Sequence, residues 1–177
     1  MHSHDRTLAA RLGFSDPDKK IARHDLACEY LLDAAPIAFG SKADKCRARL
    51  EVPISKGHGQ YKTTIGFLDV SGVFASANEA SLFAIEVKIA PCSVGDILRQ
   101  ISLYNEYPWY EGLADEASRL SDYQVSQLDV QFRWGVVADF DMDTRALARH
   151  GVQFARLGPT FDEWLKTRTT ESIGVVL

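Results

Sequence analysis

The sequence predicts an α/β domain in which helices flank a mixed central sheet. Three observations predict this class: apolar residues recur at helical spacing near the start of the chain, three segments with strand character follow, and helical and strand segments then alternate. The length of 177 residues suits one domain with a substantial core. We therefore expect residues 1–177 to form a single domain, with its core at about 16–140.

The first predicted element is a helix over Ser15–Asp33. Ser15 or Asp16 can cap this helix, Pro17 suits its first turn, and apolar residues form a stripe along one face. Pro36 follows and is expected to close the segment. The chain then changes period, because charged and apolar residues alternate over 47–52, which predicts a half-buried strand.

A hairpin is predicted next. The residues at 56–60 have the composition of a flexible turn, so the strands on either side of them are expected to pair. The second strand runs from about Lys62 to Val73. Gly66 and Gly72 lie inside it and are predicted to mark bulges or bends, since glycine is unfavourable in a regular strand.

The remaining elements alternate between strands and helices. A third strand, rich in apolar and β-branched residues, ends at Pro91, and Ser93 can cap the helix that follows it. We expect the later elements at strand Ser81–Ala90, helix Val94–Glu106, strand Phe132–Phe140, helix Asp143–His150, strand Val152–Leu157 and helix Thr160–Thr167. The segment Trp109–Asp129 is predicted to be a helix or a loosely packed excursion.

Ionisable residues interrupt two of the apolar strands. Asp69 lies near the end of the sequence GFLDV, and Glu86 and Lys88 lie within FAIEVKI. Because side chains alternate across a strand, Glu86 and Lys88 point to one face while the apolar residues between them point to the other. Burial of such charges is costly unless they are paired or bind a metal ion. If the two strands are neighbours, Asp69 and Glu86 can converge and supply the hard oxygen ligands that suit Mg²⁺ or Mn²⁺.

This combination of residues resembles the PD-(D/E)xK nuclease superfamily. Asp69 followed by IEVK resembles the D…(D/E)xK signature, and Gln100 and Tyr104 resemble the QxxxY motif of the RecB-like and lambda-exonuclease-like branch. Leu68 stands where the signature has proline. The resemblance spans roughly residues 25–107 and implies a restriction-endonuclease-like αβββαβ core.

The resemblance also implies roles for individual residues. Asp69 and Glu86 would hold the metal ion, with the Val87 carbonyl as a further ligand and Glu29 reaching the ion through water. Lys88 would position the attacking water, Gln100 would support the site, and Tyr104 would touch a substrate phosphate. The catalytic set is therefore Asp69, Glu86, Lys88 and Gln100, and the metal set is Asp69, Glu86, Val87 and Glu29.

Some of these residues also have simpler explanations. Glu86 and Lys88 could be a same-face pair on an exposed edge strand, where charges are common. Gln100 and Tyr104 could flank an ordinary amphipathic helix, and Glu29 could be a solvated helix residue.

The predicted hairpin tip offers a further set of candidates. Lys56, His58 and Lys62 could contact a phosphate backbone as substrate-binding residues, although a plain polar turn explains them as well. His2 and His4 suggest a metal site, but a terminal HxH is more often disordered.

The amino-acid composition limits the binding partners and the cellular compartment that we expect. The net charge of −4 weakens the case for a nucleic-acid partner, because phosphate binding usually requires a basic surface. Metal-binding carboxylates would contribute to that charge, and a bound cation would offset some of it. Three widely spaced cysteines without a CxxC pair fit reduced thiols better than a disulfide framework or a zinc site. Without an apolar span or signal segment, we expect a cytoplasmic protein with no membrane partner.

Two functions follow as expectations. The first is a Mg²⁺- or Mn²⁺-dependent nuclease that hydrolyses DNA phosphodiester bonds with a metal-activated water, in repair, recombination, or the processing of mobile-element or phage DNA. Its partner would be DNA, and a homo-oligomer or a larger DNA-processing complex would help so small and acidic a chain to hold it. The second is a catalytically silent nuclease-fold module that serves in binding or assembly.

Overall fold

A computed structural model describes residues 17–38, 45–57, 61–76, 79–108, 110, 113, 117, 119–120 and 129–173. The elements in chain order are α1 Pro17–Ala38, β1 Lys45–Lys56, β2 Thr63–Ser76, β3 Glu79–Lys88, α2 Val94–Asn105, β4 Asp129–Ala138, α3 Thr144–Arg149, β5 Val152–Arg156 and α4 Pro159–Ile173. Every helix and strand placed by the sequence is present in the predicted order. Most of 109–129 lies outside the described residues.

The five strands form one sheet in the order β1-β2-β3-β4-β5. The strand β2 is antiparallel to both β1 and β3, whereas β4 is parallel to β3 and β5 is parallel to β4. The helix α2 lies in the connection that returns the chain from β3 to β4, as parallel neighbours require a crossover. The prediction of an α/β fold with a mixed central sheet flanked by helices is confirmed.

Each face of the sheet has its own apolar core. One face packs on α1 and α4, through residues that include Leu31, Phe83 and Phe161. The opposite face packs on α2, where Ile97, Ile101 and Tyr104 are buried. The odd-numbered residues of β3 point to the α1 side and the even-numbered residues to the α2 side, so Glu86 and Lys88 face α2.

The β1–β2 hairpin extends beyond the rest of the sheet. Lys45 of β1 pairs with Ala75 of β2 at one end of the hairpin, and Lys56 pairs with Thr63 at the other. The strand β2 pairs with β3 only over residues 70–76. Residues 63–69 of β2 therefore pair only with β1, and the two strands form a ribbon that extends past the end of the β2–β3 pairing. Asp69 is the first residue of β2 beyond the β3 ladder, and this position places it at the opening between the two strands.

The end of α1 and the backbone at two glycines of β2 differ in part from the predictions. The helix α1 continues through Pro36 to Ala38, because proline in a last turn removes only one hydrogen bond. Gly66 was predicted to mark a bulge, and the register does shift opposite it, between Ile54 and Ser55. The bulge or bend predicted at Gly72 is wrong: this residue pairs regularly with Ala48. A Cβ there would collide with the β1 backbone, so Gly72 permits a close approach of the strands.

An ion pair holds α1 against the end of β4. The Arg23 guanidinium donates to both carboxylate oxygens of Asp139, at 2.6 and 3.1 Å. The same guanidinium lies over the ring of Phe161. This paired contact fixes the rotation of the helix turn that carries the next residue, His24. No helix within the described residues is long and apolar enough to cross a membrane.

Candidate metal and catalytic site

Asp69 lies at the point where β2 separates from β3. Its Oδ2 atom accepts a hydrogen bond from the backbone N–H of Val87 at 2.7 Å, which extends the contact between the strands beyond their last backbone pair, Val70–Ile85. The N–H and C=O of a strand residue point to the same edge, so the Val87 carbonyl also faces the opening beside Asp69. Asp69 and Val87, two predicted metal ligands, are therefore adjacent.

Glu86 is almost completely buried, with 1% of its surface exposed. Burial, followed by the nearby charge of Asp69, raises the pKa of the Glu86 carboxyl to about 7. Its Oε2 atom accepts two hydrogen bonds, but its Oε1 atom is buried and has no hydrogen-bond partner among the described residues. An orphaned carboxylate oxygen is costly, and a cation is one group that would satisfy it.

Lys88 and Gln100 complete a network around Glu86. The Lys88 ammonium donates to Glu86 Oε2 at 2.9 Å and to the Gln100 side-chain oxygen at 3.0 Å. The Gln100 amide in turn donates to Glu86 Oε2 at 2.7 Å. Burial lowers the pKa of Lys88, but the carboxylates of Glu86 and Asp69 raise it by more, so the group stays protonated at neutral pH. Because β3 lies between two other strands, the predicted alternative of an exposed edge-strand pair is wrong.

The helix α2 presents Gln100 and Tyr104 to the sheet. Ser93 caps the helix by accepting from the Asp96 backbone N–H at 3.1 Å, so the helix begins shortly after β3 ends. Gln100 and Tyr104 lie one turn apart, and the Gln100 amide donates to the Tyr104 hydroxyl at 3.2 Å.

Tyr104 is mostly buried, at 7% exposure, and packs where the ribbon passes over α2. A Cβ on Gly66 would lie only 2.5 Å from the Tyr104 hydroxyl oxygen, so the glycine admits the ring. This burial leaves the hydroxyl little room to meet a substrate phosphate. The substrate-contact role of Tyr104 remains a prediction, and its observed contacts are structural.

Two residues of α1 that the sequence did not single out meet Asp69. His24 Nε2 lies 3.4 Å from Asp69 Oδ2, and the Cys28 thiol lies one helical turn further along. Ligand atoms of His24, Cys28 and Asp69 all lie within 4.8 Å of one another. Among the described residues this is the one grouping of three or more such side chains that could hold a metal ion. The HxxxC spacing on the first predicted helix was the available signal.

His24 and Cys28 interact electrostatically with Asp69. Burial lowers the pKa of His24, but the hydrogen bonds and charges of Asp69 and Cys28 raise it by more, so the net pKa lies above the usual value. His24 Nδ1 lies 3.3 Å from an Asp25 carboxylate oxygen. The pKa of the Cys28 thiol is raised, chiefly by burial.

The other predicted residues are placed less centrally. Glu29, on α1, is outside the grouping around Asp69, and its role as a water-mediated ligand remains a prediction. Lys56 and Lys62 are exposed near the far end of the ribbon. At about 3.3 Å per residue, Lys62, which directly precedes β2, lies roughly 23 Å from Asp69 along the strand direction. His58 lies outside the described residues.

The site thus draws on three parts of the fold: α1, the β2–β3 opening and α2. In comparisons with protein families, curated proteins and solved structures, no match to this chain is found. The functional case therefore rests on the arrangement of its own residues.

Proposed function

We propose that this chain is a metal-dependent nuclease of the PD-(D/E)xK type, with a restriction-endonuclease-like αβββαβ core. It would hydrolyse DNA phosphodiester bonds with a metal-activated water, in repair, recombination, or mobile-element or phage DNA processing. The observation that carries the proposal is the buried Glu86 carboxylate, paired with Lys88 and adjacent to Asp69 at the strand opening. Buried ionisable groups with shifted pKa values are concentrated at functional sites.

The residues present fit a divalent cation. Glu86 Oε1 is buried and lacks a hydrogen-bond partner among the described residues, and the charge of Asp69 acts on the same carboxyl. Asp69, Glu86 and the Val87 carbonyl would hold Mg²⁺ or Mn²⁺ through hard oxygen atoms. His24, at 3.4 Å from Asp69, is a candidate further ligand from α1. Such a cation supplies an activated water and stabilises charge on the phosphoryl oxygens.

The remaining side chains act around that centre. Lys88 presents a protonated ammonium that can orient the attacking water or neutralise charge as it develops on the phosphate. Gln100 contacts both Lys88 and Glu86, and holds the ammonium beside the carboxylate. The exposed Lys56 and Lys62 would contact the phosphate backbone of DNA at a distance from the cleaved bond.

The second candidate function is a catalytically silent nuclease-fold module for binding or assembly. The net charge of −4 favours it, since nonspecific DNA affinity depends largely on basic residues. For an enzyme, a homo-oligomer or a larger DNA-processing complex would add basic surface for DNA. Metal titration separates the two functions, because only a chain with a working site is stabilised against unfolding by Mg²⁺ or Mn²⁺.

The test is cleavage of end-labelled linear and circular DNA, single- and double-stranded, in Mg²⁺, Mn²⁺ or EDTA. We expect metal-dependent cutting by the wild type and a loss of about 100-fold or more in Lys88→Ala. Lys166→Ala, an exposed lysine on α4, is the matched control and should cut normally. Cutting that persists unchanged in Lys88→Ala, or that needs no metal, would contradict the proposal.

A further inference from the structure

One helical turn of α1 places an imidazole and a thiol against a carboxylate. The Cys28 sulfur lies 3.8 Å from His24 Nδ1 and 3.9 Å from Nε2, and Nε2 lies 3.4 Å from Asp69 Oδ2. Cys28 is buried, so its sulfur faces this cluster and the core rather than bulk solvent. A metal ion that bound here would receive nitrogen, sulfur and oxygen ligands.

These separations are close to those of a tetrahedral zinc site. Zn²⁺ binds sulfur at about 2.3 Å and nitrogen or oxygen at about 2.0–2.2 Å. At tetrahedral angles, those bond lengths put sulfur and nitrogen about 3.6 Å apart, and nitrogen and oxygen about 3.4 Å apart. The observed distances of 3.9 and 3.4 Å are close to these values. All three ligand atoms lie within 4.8 Å of one another, so the side chains would move closer together as the ion binds.

The surroundings of His24 favour ligation through Nε2. Asp25 lies 3.3 Å from the other ring nitrogen, Nδ1, and can accept its proton in a hydrogen bond. A carboxylate in this position keeps the proton on Nδ1, so that Nε2 becomes the ligand atom once it has released its own proton, as in many metal-binding histidines. The unpartnered Oε1 atom of Glu86 is a second polar group in need of a cation near Asp69.

We propose that His24, Cys28 and Asp69 form a binding site for a thiophilic divalent cation of the Zn²⁺ class. As the metal binds, the Cys28 thiol and the His24 Nε2–H would each lose a proton to solvent, and water or Glu86 would complete the coordination. Mg²⁺ has little affinity for thiolate, so the sulfur distinguishes this ion from the hard cation of the proposed nuclease.

One consequence of this site rests on the proposed function. Zn²⁺ held by His24 and Asp69 would occupy ligands that the hydrolytic cation needs, and would therefore inhibit cleavage. The thiol thus makes the site responsive to zinc.

The test uses Co²⁺ as a spectroscopic substitute for Zn²⁺, in the 177-residue chain with His2→Ala and His4→Ala to remove the HxH pair. We expect tetrahedral d–d absorption and a near-ultraviolet thiolate-to-cobalt charge-transfer band, both displaced by Zn²⁺. Cys28→Ser should remove the charge-transfer band and weaken Zn²⁺ binding by about 100-fold. Cys92→Ser, at an exposed cysteine, is the matched control and should keep both.

A missing charge-transfer band, or a band that survives in Cys28→Ser, would overturn the proposal. A measurement on the wild type guards against a misfolded variant: Zn²⁺ should slow alkylation of Cys28 and leave that of Cys92 unchanged, and equal effects on both thiols would also overturn it. These readouts need no catalysis. If no metal supports cleavage, the nuclease proposal fails while the cobalt spectrum still decides this one.

Discussion

The carboxylate of Asp69 accepts the backbone N–H of Val87 at 2.7 Å, directly beyond the last β2–β3 pair. This contact joins the two strands at the opening that forms the candidate site. It also explains how an acidic side chain is tolerated there, because a carboxylate that accepts a backbone hydrogen bond is partly compensated for its burial.

Removal of that acceptor should destabilise the strand opening. We expect Asp69→Ala to lower the free energy of unfolding by about 1–3 kcal/mol, because the Val87 N–H loses its partner. Asp69→Asn keeps an oxygen acceptor and should cost roughly 1 kcal/mol less than the alanine variant. Urea denaturation in EDTA measures both. Equal losses in the two variants would mean that the hydrogen bond contributes little.

The stability of the metal-free protein should depend on the protonation of Glu86. Its folded pKa, raised to about 7 by burial and by Asp69, lies above the ordinary value of 4.5. Between these values the folded state keeps a proton that the unfolded state has lost, so this group's contribution to stability falls as pH rises from about 4.5 to about 7. Glu86→Gln removes the effect.

We therefore expect the free energy of unfolding of Glu86→Gln, relative to the wild type, to increase by roughly 1–3 kcal/mol between pH 5 and pH 8. Urea titrations in EDTA at both pH values measure it. Glu163→Gln, at an exposed residue of α4, is the control and should show no such change. A difference that is the same at pH 5 and pH 8 would show that Glu86 titrates normally.

Gln100 should act on catalysis through its two neighbours. Its amide accepts from Lys88 and donates to Glu86, so Gln100→Ala frees the ammonium to move. For the proposed nuclease we expect kcat to fall by about 10- to 100-fold with little change in KM, as for other groups that orient metal-site residues. Arg99→Ala, on the exposed face of the same helix, is the control. A rise in KM alone would instead indicate that Gln100 binds substrate.

The contact between the ribbon and α2 can be tested at Gly66. A Cβ there would lie 2.5 Å from the Tyr104 hydroxyl, and the nearest ring carbons are also closer than 3 Å. We expect Gly66→Ala to cost about 1–3 kcal/mol of unfolding free energy. In a Tyr104→Ala background the same substitution should cost much less, as a double-mutant cycle would measure. An equal loss of unfolding free energy in both backgrounds would mean that the Tyr104 ring moves aside without a measurable penalty.

The sequence by itself determined the class of fold and half of the site. Helical and strand periodicities are local, so the order of elements and the mixed sheet could be predicted. Charges inside apolar strands could also be recognised, which identified Asp69, Glu86 and Lys88. The helical repeat alone predicts that Gln100 and Tyr104 lie on one face of a helix. The structure places Gln100 against Lys88 and Glu86.

Tertiary structure decided which distant side chains meet. His24 and Cys28 reach Asp69 because the Arg23–Asp139 ion pair and the apolar core orient α1 on the sheet, and no local pattern encodes that rotation. A search for CxxC pairs could not detect this grouping, because its thiol and imidazole lie on α1 and its carboxylate lies on β2. The end of the β2–β3 ladder before Asp69 is likewise a property of the packed sheet, because pairing depends on both strands and on the ribbon's contact with α2.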